Sequence, residues 1–177
     1  MADRTAAPRR PTFDPERVGH DPTFLPAQVR GEAVGAERLT AAALRRRFAS
    51  PPPWQPEIIA DARLAQAHAP LREAAVLIPL VMHDAGPTVL LTRRTAHLHD
   101  HAGQISFPGG GIERHDENAI ATALRETEEE VGLRAEFVEV LGTLPRYATA
   151  TGYAVTPVVA LVRTGFKLAV DTFEVEE

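Results

Sequence analysis

The 177-residue chain contains no cysteine, a single lysine and no long apolar run. The missing cysteine excludes a disulfide framework, a thiolate metal site and a cysteine nucleophile. Lys167 is the only lysine among nineteen basic residues, a bias that reads as base composition and not as chemistry. The longest apolar run, Ala74 to Met82, is far short of the roughly 20 residues a helical membrane span requires. The first residues, MADRTAAPRRPTFDP, hold arginines but no apolar stretch. No secretory signal is expected there, the acidic residues argue against a transit peptide, and a cytoplasmic location is the expectation. The formal charge of −5 gives no general attraction to nucleic acid or to an anionic membrane, so neither is expected as a partner. An anionic substrate would have to be met by local cations or by metal.

What is present is ordinary for a globular protein. Apolar residues make up 44% and charged residues 24%, enough for a real core. The length suits one domain with an appended segment. Residues 1–35, rich in Pro, Arg and Asp, read as a poorly ordered extension, and residues 36–177 as the domain. Ala36 to Ala49 carries good helix formers, with Leu39, Leu44 and Phe48 available for one face, and Pro51-Pro52-Pro53 stops it. Trp54 is expected to anchor the linker, and Asp61 to Ala69 to form a short helix. Ala74 to His83 is a β-branched apolar run, predicted as a buried strand. Asp84-Ala85-Gly86-Pro87 signals a turn, and Thr88 to Arg93 a returning strand. Thr95 to Gly111 is a long polar loop, and such loops are usually functional. A helix is predicted over Asn118 to Val131, stopped by Gly132. Strands are predicted over Glu136 to Leu144, Tyr153 to Arg163 and Phe166 to Val175. The order of strands, helix and strands gives a mixed α/β or α+β layered domain.

The helix carries the chemistry. Ile120, Leu124, Thr127 and Val131 share one stripe at buried-face spacing. Glu126, Glu129 and Glu130 gather on another flank at i, i+3 and i+4, while Glu128 points elsewhere. Like charges so placed repel by a few tenths of a kcal/mol per pair. Arg125, four residues before Glu129, is positioned to brace it. An acidic run on a helix is usually only a solvated face, but three convergent oxygen donors also suit a hard divalent cation. The surroundings decide between these. Gly111, Glu117, Arg125-Glu126, Glu129-Glu130 and Gly132 keep the spacing G-x5-E-x7-R-E-x-x-E-E-x-G, followed by Leu133. At average composition this coincides by chance roughly once in 10⁸ windows.

Gly111 to Leu133 resembles the Nudix box. The resemblance implies an α/β/α sandwich with a mixed sheet and a loop–helix–loop catalytic motif. It implies metal ligation by Glu126, Glu129 and Glu130, joined by the Gly111 carbonyl, with Mg²⁺ or Mn²⁺ as cofactor. It also implies that Arg125 and Glu117 brace the motif. Glu126 is the first candidate for general base and Glu129 the second, with Glu174 and Glu176 as acidic residues from elsewhere. One position departs from the pattern: Thr127 stands where an aliphatic residue is usual. Its methyl can pack and its hydroxyl can bond back to the Ala123 carbonyl, with a small effect on stability expected.

The preceding loop narrows the substrate. LLTRRTAHLHDHAGQISFPGG, Leu90 to Gly110, resembles the signature of the coenzyme A pyrophosphatase subfamily. The matches are Leu90-Leu91-Thr92, Arg94, Ala96, Gly103 and Phe107-Pro108-Gly109-Gly110. Thr95 stands for the usual serine and keeps the hydroxyl. His99 stands for an arginine, exchanging a fixed guanidinium fork for a titratable ring. Arg93, Arg94, His99, Phe107, Gly109 and Gly110 are the candidate substrate contacts, with Arg93 and Arg94, together with His97 and His101, able to compensate for the change at His99. Arg146 and Tyr147 are weaker candidates. The resemblance implies metal-dependent hydrolysis of coenzyme A or its derivatives to 3′,5′-ADP and 4′-phosphopantetheine or its acyl form. Two alternatives stand beside it. One is a Nudix pyrophosphatase acting on ADP-ribose, NADH or a dinucleoside polyphosphate. The other is a nucleotide-binding sensor without turnover. A homodimer is compatible with the sequence, which does not require one.

Overall fold

Two long strands run side by side through the centre of the computed structural model, which describes residues 34–53, 70–95, 103–149, 151–173 and 175. They are β1 (Arg72–His83) and β8 (Tyr153–Arg163), parallel and in register from Arg72 with Tyr153 to Met82 with Arg163. Parallel neighbours need cover on both faces, and both strands are rich in aliphatic residues throughout. Between them in sequence lie β2 (Gly86–Val89), β3 (Thr92–Arg93), β4 (Ile105–Ser106), β5 (Gly109–Gly111), β6 (Val138–Thr143) and β7 (Tyr147–Ala148). β5 and β2 share the free edge of β1, and β7 and β6 share the free edge of β8, all antiparallel. β3 and β4 form a separate small hairpin.

Two prolines sit inside these central strands, where a missing N–H normally breaks the ladder. Each stands where one edge partner gives way to the next. Pro79 follows the β5 pairing, which ends at Val76, and precedes the β2 pairing, which starts at Leu80. Pro157 lies between the β7 partner Val155 and the β6 partner Val158. Their carbonyls still accept, from the Leu90 and Leu144 N–H groups respectively.

One face of the sheet is covered by α2 (Ala119–Val131). Ala75, Leu77 and Val81 of β1 and Val158, Ala160 and Val162 of β8 pack there with Ala123 and Val131. Asn118 caps the helix, its Oδ1 accepting from the Ile120 and Ala121 N–H groups, and Gly132 ends it at φ 72°. Burying the hydroxyl of Thr127 costs little, because it donates to the Ala123 carbonyl at 2.6 Å. The opposite face receives α1 (Ala41–Ala49), capped by Thr40, whose Arg45 forks onto Glu139 of β6. Leu39, Leu44 and Phe48 are half-buried there. The result is the expected mixed sheet between helices, in the α+β class.

Several predicted elements differ. Thr88 to Arg93 is not one strand: pairing with β1 stops at Val89, and Thr92-Arg93 turn to β4 instead. The long loop contains β4 and β5. Ala135–Phe137 is a 3₁₀ turn leading into β6, so that strand starts at Val138. The helix predicted from Ala36 begins at Ala41, after a 3₁₀ turn over Ala36–Arg38. Phe166 to Val175 is not a strand. Two of its N–H groups go to the end of α2, where the last carbonyls lack partners inside the helix. Ala169 N–H donates to the Val131 carbonyl and Asp171 N–H to the Glu130 carbonyl, leaving a single bridge between residues 94 and 175. Trp54 and the helix predicted over Asp61 to Ala69 lie outside the described residues, as do the histidines at 97, 99 and 101 and most of the 1–35 segment.

Candidate active site

The site is built where β5 delivers three glycines against both β1 and α2. Val76 pairs with Gly109, Ala75 with Gly110 and Ala74 with Gly111. The approach is closer than any side chain permits at Gly109: a Cβ there would sit 2.3 Å from the Ala75 carbonyl oxygen. On the other side, a Cβ on Gly110 would meet the Glu126 carboxylate, with Cδ 2.5 Å away. Glycine at 109 and 110 therefore lets β5 lie close against both β1 and an acidic helix.

Above this strand opens a cleft of about 520 Å³. Its acidic wall holds Glu126 and Glu130, its backbone wall is Gly109 to Gly111, and Arg94, Gln104 and Phe107 line it as well. Ala74, Val76, Tyr153 and Val155 form an apolar floor, bordered by Thr149 and Thr151.

The three glutamates differ sharply. The side chain of Glu130 is 5% exposed, that of Glu126 17% and that of Glu129 60%. Buried carboxylates need donors. Glu130 Oε2 accepts from the Gly109 N–H at 3.1 Å, and its Oε1 lies 3.9 Å from Arg94 Nη1. Glu126 and Glu129 share one cation, since Arg125 Nη1 donates to Glu126 Oε1 at 3.0 Å and to Glu129 Oε2 at 2.9 Å. The expected flank of three carboxylates is thus divided: Glu126 and Glu130 face the cleft, while Glu129 leans outward onto Arg125. Among the described residues no three acidic or histidine side chains close into a ready cation cage.

Arg125 is itself held from behind. Its Nε and Nη2 fork onto Asp116 at 3.0 and 2.9 Å, and Nη2 reaches the Gly111 carbonyl at 3.4 Å. The fork keeps the Asp116 carboxyl well below the usual carboxylate range, helped by the Glu113 N–H and the Thr122 hydroxyl. The same bonds raise Arg125 above its ordinary range. The brace expected of Glu117 is therefore supplied by its neighbour Asp116, while Glu117 is exposed. Asp116 and the buried Thr122 were absent from the residues singled out in the sequence. The only signal was a second carboxylate one position before Glu117, which spacing alone does not distinguish.

The predicted substrate contacts separate in the same way. Arg94, Phe107, Gly109 and Gly110 line the cleft, and Arg93 does not. Arg93 ends β3 and Arg94 follows it in extended bridge backbone, where successive side chains point to opposite faces, so only one of the two arginines can look inward. His99 lies outside the described residues. Arg146 pairs with Glu73 on the surface, and Tyr147 is exposed on β7. Gln104, Thr149, Thr151 and Tyr153 join the cleft without having been anticipated.

The donor set fits a hard divalent ion. Such an ion, Mg²⁺ in particular, is usually held by one or two carboxylates with water and substrate phosphate, and rarely by an all-protein cage. Glu126, Glu130 and the Gly111 carbonyl offer oxygens of that kind on one side of the cleft, and the exposed Glu129 stands beside them.

Comparison with known proteins bears on the same region. The model of the NUDIX domain family matches residues 71–175. A protein of Pectobacterium atrosepticum named uncharacterized Nudix hydrolase NudL is 48% identical over 106 residues, 60% of this chain and 55% of that one. Its namesake in Escherichia coli is 54% identical over 91 residues, 51% of this chain and 47% of that one. The chain thus spans about half the length of these curated relatives. Among solved structures, a C. elegans Ap4A hydrolase binary complex superposes with a TM-score of 0.51 at 19% identity, over 59% of this chain and 75% of that one. At that identity the likeness concerns the fold.

Proposed function

We propose, since this chain belongs to the Nudix family, that it hydrolyses the diphosphate bond of coenzyme A or its derivatives, releasing 3′,5′-ADP and 4′-phosphopantetheine or acyl-phosphopantetheine. The observation that carries the reading is the pairing of walls in one cleft. Carboxylates Glu126 and Glu130 stand beside the Gly109 to Gly111 backbone, and the Arg94 guanidinium lines the same space. A diphosphate needs both: cations brought by the acidic wall and a guanidinium for its own oxygens. The choice of coenzyme A within the family is supported by the Leu90 to Gly110 loop.

Nudix hydrolases generally use divalent metal ions. Glu126, Glu129, Glu130 and the Gly111 carbonyl would hold such an ion here, Mg²⁺ or Mn²⁺. When bound, it neutralises phosphate charge and makes water a better nucleophile. The protein's own residues do the rest. Arg94 orients the diphosphate. Glu126, fixed by Arg125 and pressed against Gly110, accepts the proton from the attacking water. The water oxygen bonds to phosphorus, the bridging P–O bond breaks, and the departing phosphate carries away the electron pair. Asp116 keeps Arg125, and through it Glu126, in place throughout.

The test is product analysis. The protein is incubated with coenzyme A and Mg²⁺ or Mn²⁺, with ADP-ribose, NADH and a diadenosine polyphosphate in parallel. Release of 3′,5′-ADP in preference to the other products, abolished by EDTA and lost in Glu129→Gln, is expected. Preferred cleavage of ADP-ribose or NADH would retain the family chemistry and discard coenzyme A. A folded protein that turns over none of them would be a nucleotide-binding sensor.

A further inference from the structure

The segment of residues 169–173 and 175 does more than end α2. It touches both sides of the proposed diphosphate cleft. On the acidic side, Asp171 N–H donates to the Glu130 carbonyl and Ala169 N–H to the Val131 carbonyl. A Cβ on Gly132 would meet Ala169 at 2.8 Å, so the helix end and the segment are in direct contact. On the cationic side, residue 94 forms an antiparallel bridge with residue 175. Thr95 donates its buried hydroxyl to the Phe173 carbonyl at 2.8 Å. The segment is braced internally, with Val175 N–H on the Asp171 carbonyl and Phe173 N–H on Asp171 Oδ1, and Val175 is 1% exposed.

Arg94 needs this support. It sits just past the two-residue strand β3, beside a hairpin that belongs to no larger sheet. Its backbone is tied to that hairpin through Gln104 and Gly103. Among the described residues, its tie to the body of the domain, beside the 3.9 Å contact of its own guanidinium with Glu130, runs through the bridge to residue 175 and the Thr95 bond to residue 173. We infer that Thr95 and residues 169–173 and 175 form a positioning strap, which sets the spacing between the Arg94 guanidinium and Glu130 and thereby the affinity of the cleft for a diphosphate. Thr95 is a positioning residue and touches no substrate itself. The inference rests on the proposed role of Arg94 as a phosphate contact.

A double-mutant cycle on ligand binding tests it, because coupled residues give non-additive effects and independent ones do not. The probe is adenosine 5′-diphosphate, titrated calorimetrically into wild type, Thr95→Val, Thr95→Ser, Arg94→Ala and the Arg94→Ala/Thr95→Val double variant. Thr95→Val is expected to weaken binding by about fivefold to tenfold, the scale of one hydrogen bond. Thr95→Ser, which keeps the hydroxyl, should restore wild-type affinity. In the Arg94→Ala background, Thr95→Val should have no further effect. Additive losses, or wild-type affinity in Thr95→Val, would overturn the strap, as would a wild type that does not bind the probe. Coenzyme A turnover measured on the same proteins separates the two readings. Non-additive binding without hydrolysis keeps the strap and removes the enzyme, whereas hydrolysis with additive binding does the reverse.

Discussion

Gly109 and Gly110 are adjacent, yet alanine at the two positions should have opposite consequences. At Gly110 a Cβ lies 2.5 Å from Glu126 Cδ and 2.6 Å from each of its oxygens. A normal separation is ~3.5 Å, so the carboxylate must retreat by about 1 Å. It sits at the end of a flexible side chain, and the Gly110 backbone lies outside the positive-φ region, so the fold should hold within about 1 kcal/mol. Catalysis should not, since a displacement of ~1 Å at a reacting group costs on the order of 100-fold. At Gly109 the obstacles are backbone atoms, the Ala75 oxygen at 2.3 Å and Val76 Cα at 2.6 Å, and φ is 151°. Neither neighbour can yield cheaply, and a loss on the order of 3 kcal/mol is expected. For a chain of this size that is a fall in Tm of roughly 6–12 °C. Calorimetric melting and 3′,5′-ADP release, measured on both variants, give the comparison. Full turnover by a stable Gly110→Ala protein would refute the placement of Glu126 at the reacting centre.

Two further outcomes follow from the helix and its loop. The Asp116 carboxyl is depressed in the folded state, so it stabilises above the unfolded carboxylate range and loses that contribution as pH falls through the folded value. The gap in urea midpoint between wild type and Asp116→Asn should therefore be constant above about pH 5 and shrink below about pH 4; a gap unchanged down to pH 3 would contradict the Arg125 fork. Thr127→Val exchanges the hydroxyl bond to Ala123 for a buried methyl. Stability should change by less than about 1 kcal/mol in either direction by denaturant titration, because the lost bond and the added apolar burial are of similar size.

Much of the architecture was legible in residue order. Long apolar runs marked β1 and β8, and the helical period from about Asn118 with the Gly132 stop marked α2, because both signals are local. What failed were matters of partnership. Thr88 to Arg93 has strand composition throughout, but whether Thr92 pairs back to β1 or onward to Ser106 is decided by tertiary geometry. Phe166 to Val175 looks like a strand by composition, and composition cannot reveal that the Ala169 and Asp171 N–H groups are claimed by the α2 carbonyls. In the site, the 3.6-residue period placed three glutamates on one flank. The structure then distinguishes them by burial, which depends on β5 lying across Glu130 and Glu126 and leaving Glu129 outside. Asp116 escaped notice because its partner Arg125 is reached across a loop, where no periodicity applies.

The central strand pair also sets when the protein can become itself. Arg72 pairs with Tyr153 and Met82 with Arg163, so each β1 residue from Arg72 to Met82 waits for a partner 81 positions later in the chain. The glycine strand, the acidic helix and the hairpin bearing Arg94 all lie inside the loop this pairing closes. Closing so long a loop is an entropic barrier that local contacts do not offset in advance, and folding dominated by such contacts is slow. During synthesis the acidic helix can form early, but its buried face has only half of its sheet until β8 is made. Assembly of the site is therefore tied to completion of the domain: a chain interrupted before Tyr153 would carry most of the acidic and glycine residues of the cleft without the floor that holds them together.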